Sequence, residues 1–151
     1  MKDLIQRFFG APKTHAPPSE HDARIATCAL FVEIASIDQE FSAVEVDHIL
    51  AQLQARYGLA AEDAALLLSE AKAEVARSID LWQFTRLINE HYSTEEKLDI
   101  VEMLWQLVYA DGHLDAHERY LMGKLTGLLN LEHSHVIERK LRARGGPVSE
   151  G

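Results

Sequence analysis

The chain has 151 residues, of which 47% are hydrophobic and 26% charged, and its formal net charge is −9. This length suits one domain with a sizeable core, and the acidic balance disfavours nucleic acid as a partner because phosphate backbones are also negative. Cys28 is the only cysteine, so an internal disulfide is excluded, and no apolar run approaches the roughly 20 residues of a membrane-spanning helix. We expect a globular protein of a reducing compartment, with a cytoplasmic location.

The first twenty residues predict an arm and a linker ahead of the folded domain. Met1–Phe9 has a short amphipathic pattern, and prolines follow at positions 12, 17 and 18. A segment this short is a marginal helix by itself, and the proline-containing stretch is typical of an extended or flexible linker. Met1–Phe9 is therefore predicted to be a docked arm, a free tail, or a weak attachment to a membrane surface or a partner.

The rest of the chain predicts helix almost throughout, and no segment shows the period-two alternation of a half-buried strand. In chain order the predicted helices are about Asp22–Ser36, Ala43–Tyr57, Ala61–Arg77, Asp80–His91, Glu95–Tyr109, Ala116–Leu129 and Glu132–Arg144. The first and fifth are apolar nearly all round, as expected of buried central helices, and Cys28 is predicted to be a buried hydrophobe within the first. The fold class is therefore all-α, with an arm and linker over 1–20, a helical domain over 21–144 and a loose tail over 145–151.

Two acidic turns indicate that the domain contains an internal repeat. Asp38-Gln-Glu-Phe-Ser42-Ala-Val-Glu45 matches Asp111-Gly-His-Leu-Asp115-Ala-His-Glu118 position for position, 73 residues later. The correspondence continues into the following helices with a one-residue gap, which aligns Tyr57-Gly58-Leu59 with Leu129-Asn130-Leu131. We expect two three-helix units, about 22–77 and 95–144, whose apolar helices pack together around an approximate two-fold axis.

Helix capping explains the repeated acids without any ligand. Ser42-x-x-Glu45 and Asp115-x-x-Glu118 follow the capping-box pattern, and Ser93-x-x-Glu96 is a third instance outside the repeat. Asp38 and Asp111 would accept free amides of the tight turns. Because a cap stabilises a helix by about 1 kcal/mol, this role alone is a sufficient reason for the pattern.

Binding of a divalent cation is the alternative role. The candidate ligands form two clusters of oxygen donors, of the kind that Ca²⁺ or Mg²⁺ prefers: Asp38 and Glu45 in the first turn, and Asp111, Asp115 and Glu118 in the second. An EF-hand starting at Asp111 is excluded, because its sixth position is Ala116 and its twelfth is Met122. Zinc is disfavoured because the chain has no HExxH motif or cysteine pair. No phosphate loop, nucleophile elbow or paired Cys and His predicts catalysis, so we expect a protein that is not an enzyme.

The duplicated acidic turn after a buried helix resembles the TerB-like family of tellurite-resistance proteins. The residues that carry the resemblance are Ala35-Ser36-Ile37-Asp38 with Glu45, and Tyr109-Ala110-Asp111-Gly112 with Asp115 and Glu118. The second copy is the better match, because its Ala-Asp-Gly is the usual form in the family, whereas the first copy has Ile37 and Gln39 at the flanking positions. The resemblance covers about residues 22–144.

The resemblance implies an all-α fold of two pseudo-symmetric units, no established enzymatic activity, and a part in resistance to tellurite and other stresses. It also implies action in protein complexes, some near the membrane. A related domain occurs in a membrane-anchored DnaJ-type co-chaperone, although this chain has no His-Pro-Asp pattern of a J-domain. Family members' acids have been proposed as metal ligands, and the matching positions here are Asp38, Glu45, Asp111 and Glu118. We expect a stress-response module that binds a divalent cation, or a scaffold for a protein partner whose acids are only caps.

Overall fold

The computed structural model describes residues 19–37, 43–110 and 116–145. Within these ranges the chain forms α-helices and no strand, which confirms the all-α class. The helices are α1 (Glu20–Ala35), α2 (Ala43–Tyr57), α3 (Ala61–Arg77), α4 (Trp82–His91), α5 (Thr94–Ala110), α6 (Ala116–Leu128) and α7 (His133–Ala143). Their ends differ from the predicted ones by at most two residues.

No helix in the described part of the chain is both long and apolar enough to cross a membrane. The arm over 1–9, most of the linker and the tail from residue 146 lie outside the described residues, so the predicted division into arm, domain and tail stays a prediction.

The helices α1 and α5 form the buried centre of the fold, as their apolar surfaces predict. Nearly every side chain of α1 is buried, and α1 packs against α2, α3, α4 and α5. Cys28 lies on α1 and is fully buried, which confirms the predicted placement. Burial raises the pKa of the Cys28 thiol far above its ordinary value, so the side chain acts as a small hydrophobe and is a poor nucleophile.

Capping boxes begin both central helices. At α5 the Ser93 amide donates to Glu96 Oε1 at 2.8 Å, and the Glu96 amide donates to Ser93 Oγ at 3.2 Å, as predicted. At α1 the Asp22 amide donates to Ser19 Oγ at 3.0 Å, and the Ser19 amide donates to Asp22 Oδ2 at 3.4 Å. The second box was not predicted, because its third helical residue is aspartate in place of the usual Glu or Gln.

The C-terminal ends of α2 and α6 share one backbone geometry at the positions that the repeat aligns. Gly58 has φ of 67° and Asn130 has φ of 59°. The Leu59 amide donates to Gln54 O and the Leu131 amide donates to Thr126 O, each at 3.2 Å. Each is the 6→1 hydrogen bond, between residues five positions apart, that defines a Schellman motif. Glycine adopts this left-handed conformation freely and asparagine is among the few other residues that tolerate it. The backbone thus supports the predicted one-residue gap in the repeat.

Part of the helix packing follows the same repeat. The most extensive contacts are those of α1 with α3 and of α5 with α7, which are equivalent pairs in the two units. The central helices α1 and α5 contact each other, and α4 packs against α1 and α6 and so links the units. The contact of α2 with α3 has no comparable counterpart between the described residues of α6 and α7, so the two pseudo-symmetric units and their two-fold axis stay predictions.

Cations at equivalent positions of the repeat close the C-terminal ends of α6 and α2. The buried Lys97 donates through Nζ to Leu129 O at 2.8 Å and to Asn89 Oδ1 at 3.0 Å. Its counterpart Arg24 places its guanidinium carbon 4.6 Å from the centre of the Tyr57 ring. Positive charge is favourable at the C-terminal end of a helix, where carbonyl groups lack intrahelical donors. Each basic residue therefore joins the first turn of a central helix to the end of its neighbour.

Candidate functional site

The predicted ligands divide into two groups according to where they lie. Asp38, Asp111 and Asp115 lie outside the described residues. Glu45 and Glu118 are described, and they occupy the third position of α2 and of α6 respectively. The two glutamates are therefore equivalent in the structure, as the repeat predicts.

Glu45 and Glu118 are both unusually buried for glutamate. Their residues are 5% and 3% exposed, although each lies in the first turn of a helix next to an acidic turn. A buried carboxylate requires hydrogen-bond donors or a cation, and each of these side chains does interact with its surroundings. Burial agrees with both predicted roles, a helix cap and an ion ligand.

Side-chain contacts fix the register of α2 against α5. Gln52 Nε2 donates to Gln106 Oε1 at 2.7 Å and to Met103 O at 3.2 Å, and Arg56 Nη1 donates to Asp99 Oδ2 at 3.3 Å. Arg56 thus contacts the earlier position of α5, Asp99, and Gln52 contacts the later one, Gln106. The two helices are antiparallel.

The antiparallel register brings helix ends that flank both acidic turns to the same end of the molecule. Glu45 precedes Gln52 by seven residues, about 10 Å along a helix axis. α5 ends at Ala110, four residues beyond Gln106 and so within the same distance along its axis. The first turn leads into α2 at Ala43 and the second follows α5 at Ala110, so these helix ends lie at a similar level.

The pair of Glu33 and Lys124 gives the same indication for α1 and α6. Burial raises the pKa of Glu33, and the nearby Lys124 ammonium opposes that shift. In the alignment of the repeat, Glu33 of the first unit corresponds to Gln106 of the second, and Gln52 of the first unit corresponds to Lys124 of the second. The pair of Glu33 and Lys124 therefore occupies the positions equivalent to those of Gln106 and Gln52. Glu33 lies shortly before the first acidic turn in the sequence, and Lys124 lies six residues after Glu118, so parts of α1 and α6 near both turns lie close together.

No alternative metal site exists among the residues that the structure describes. Within 19–37, 43–110 and 116–145, no three His, Cys, Asp or Glu side chains lie together in an arrangement that would hold a metal ion. The described histidines therefore give no support to a zinc site.

A half-open groove with a volume of about 190 Å³ lies near the start of α1. Its lining is His21, Arg24, Leu59, Asp63, Leu66, Leu67 and Glu70. His21 Nε2 is 3.4 Å from Glu70 Oε1, and the groove mixes both signs of charge with apolar side chains. Because α1 runs for sixteen residues, about 24 Å, this groove is far from the end of α1 that carries the first acidic turn. Sequence reasoning did not predict it, since it depends on how α1 and α3 pack.

Comparison with known proteins gives one family. The family described as tellurite resistance protein TerB matches residues 24–141, a span that includes both acidic turns. No curated protein matches the chain. The chain is similar to the crystal structure of a protein of unknown function from Porphyromonas gingivalis W83, with a TM-score of 0.62 and 19% identity over 87% of this chain and 94% of that chain. At this identity the likeness shows the fold alone, whereas the family match spans both repeats, and this chain belongs to the TerB family.

Proposed function

We propose that this protein is a non-catalytic TerB module of a tellurite or stress response, and that it binds one divalent cation between its two acidic turns. The observation that carries the proposal is the antiparallel register of α2 on α5, which gathers the flanks of both turns at one end of the molecule. The family's link to tellurite resistance supports the biological setting.

The chemistry of the acids favours a hard cation. Asp38, Glu45, Asp111, Asp115 and Glu118 supply only oxygen donors, and Ca²⁺ and Mg²⁺ are the common ions that take such sets. Carboxylates that share one site repel one another, and the net charge of −9 adds to that repulsion. A bound cation would offset that repulsion, while Glu45 and Glu118 would provide ligands held on rigid helices.

Thermal unfolding of metal-stripped protein tests the proposal. A ligand that binds only the native state at 100 times its Kd adds about 2.7 kcal/mol to the free energy of unfolding. For a chain of this size that corresponds to a rise in Tm of roughly 5–10 °C. We expect this rise with Ca²⁺ or Mg²⁺ for the wild type, and its loss in both Glu45→Gln and Glu118→Gln.

Glu96→Gln is the matched control for these variants. Glu96 closes a capping box like the predicted ones, but its Ser93 cap follows no acidic turn. We expect Glu96→Gln to lower Tm slightly and to keep the full response to the ion. If no ion raises the Tm of the wild type, and all three variants lose similar stability, the glutamates are caps alone and the cation proposal is wrong.

A scaffold for a protein partner is the second candidate function, and one surface favours it. Ile79 and Trp82 lie close in sequence at the connection between α3 and α4, and they are 89% and 58% exposed. Exposed apolar groups of this kind mark interaction surfaces, and Trp is a frequent anchor of interfaces. If the adaptor role holds, an Ile79→Ser, Trp82→Ser double variant loses the partner that crosslinks to the wild type in cells. Retention of the same crosslinked species by the variant would rule out this surface.

A further inference from the structure

The helix α7 is attached to the described part of the molecule chiefly through α5. It packs extensively against α5 and makes no comparable contact with any other described helix. Only Val136 and Arg139 of α7 are buried, whereas Ile137 and Leu141 are exposed. Because hydrophobic stabilisation scales with the apolar area removed from water, that contribution to the attachment of α7 is small.

An ion cluster around Arg139 supplies polar contacts between α7 and α5. Arg139 Nη1 donates to Asp99 Oδ1 at 2.7 Å and to Glu102 Oε1 at 3.1 Å, and Nη2 donates to Glu95 Oε2. The guanidinium is buried, but the Glu95 and Asp99 side chains are 76% and 38% exposed. Arg56 of α2 shares Asp99, and Arg142 Nε lies 3.7 Å from Glu102 Oε1. Charges that reach solvent in this way are screened by salt.

The equivalent interface of the first unit, between α1 and α3, has apolar side chains at the aligned positions. In the alignment of the repeat, Asp99 and Glu102 correspond to Ala26 and Ala29 of α1, and Arg139 corresponds to Leu67 of α3. These three residues all belong to the buried core. The equivalent interfaces α1–α3 and α5–α7 therefore differ in the main physical force that holds them. The pair of His21 and Glu70 also joins α1 to α3, but at the aligned positions α1–α3 is apolar, so α5–α7 is expected to weaken more at high ionic strength.

We propose that α7 is an ion-latched helix, which opens from α5 as a separate unit and does so more readily as ionic strength rises. Opening would also uncover an aromatic face of α5, since Lys140 Nζ lies 4.6 Å from the centre of the Trp105 ring in the closed state. This inference does not depend on the cation proposal.

Hydrogen exchange of the metal-stripped protein in about 0.01 M and about 1 M NaCl tests the latch, because the screening length falls from about 30 Å to about 3 Å between these conditions. We expect amides over 136–143 to exchange roughly tenfold faster at high salt, as the loss of a few partly exposed ion pairs implies. The amides of α3 serve as the internal control and are expected to change much less, because apolar packing dominates the α1–α3 interface.

The first unit also provides a matched variant. Asp99→Ala, Glu102→Ala, Arg139→Leu copies the residues at the equivalent positions of α1 and α3, and its α7 is expected to exchange at the same rate at both salt concentrations. The proposal is overturned if α7 of the wild type exchanges only together with α5 at both salt concentrations, or if α3 responds to salt as α7 does. The comparison of α7 with α3 in the wild type decides the question even where the triple variant does not fold.

Discussion

Replacing Phe31 by alanine is expected to lower the free energy of unfolding by about 3–5 kcal/mol, because a large side chain is removed from a packed core and leaves a cavity. Phe31 is fully buried on α1, the helix that contacts α2, α3, α4 and α5. The side chains around the cavity belong to several helices that fix one another, so they cannot easily move in to fill it. Chemical denaturation followed by circular dichroism measures the change.

Two controls accompany the Phe31 variant. Phe31→Leu keeps most of the buried volume and is expected to cost clearly less. Leu66→Ala removes an aliphatic side chain from the exposed side of α3, and we expect a change within about 0.5 kcal/mol. Equal, small effects of Phe31→Ala and Leu66→Ala would show that α1 is not the centre of the core.

Lys97→Met is expected to lower the free energy of unfolding by about 2 kcal/mol, because a buried acceptor left without a donor costs roughly 1–3 kcal/mol. The ammonium of Lys97 is the donor to Leu129 O and to Asn89 Oδ1. Asn89 in turn donates to Leu128 O at 2.9 Å, so the substitution disturbs the side-chain contacts of both Lys97 and Asn89 with the end of α6. Arg24→Met, at the equivalent position of the first unit, is expected to cost less because Arg24 is only half-buried.

The pH dependence of this difference has a definite sign. Burial lowers the pKa of Lys97 from its ordinary value of 10.5, so as pH rises through the folded pKa towards 10.5 the unfolded state holds more protons than the native state. The free energy of unfolding of the wild type therefore increases with pH, whereas that of Lys97→Met lacks this contribution, so the difference between the two proteins widens. Chemical denaturation of both proteins at neutral and alkaline pH measures this difference in free energy of unfolding. A difference that shrinks with rising pH would contradict the assignment of a lowered pKa to Lys97.

Local signals in the sequence explain why the helix ends could be predicted. Gly58 ends α2 in a left-handed conformation that glycine adopts freely, and the Ser93–Glu96 pair begins α5 with its capping box. The start of α4 was placed two residues early, at Asp80. That side chain accepts a hydrogen bond from the Trp82 amide at 2.8 Å, so Asp80 forms a local turn ahead of the helix.

Contacts between distant parts of the chain explain what the sequence left open. Whether the two acidic turns share one end of the molecule depends on the register of α2 on α5, which Gln52 and Gln106 fix from 54 positions apart. The ion cluster was missed although a signal existed. Glu95, Asp99 and Glu102 are spaced by four and three residues and so form an acidic stripe on an otherwise apolar helix. Such a stripe requires a cationic neighbour, but only the tertiary structure identifies Arg139.

Paramagnetic broadening by Mn²⁺ tests most directly whether both acidic turns serve one cation. Mn²⁺ binds to the same oxygen donors as Mg²⁺ and Ca²⁺, and it broadens the amide signals of nearby residues in spectra of isotope-labelled, metal-stripped protein. We predict that Mn²⁺ below one equivalent broadens Ile37 and Ala110 together, that excess Ca²⁺ or Mg²⁺ reverses the effect, and that Glu45→Gln abolishes it at both turns. Broadening confined to one turn, or the same broadening in Glu45→Gln, would contradict a shared site.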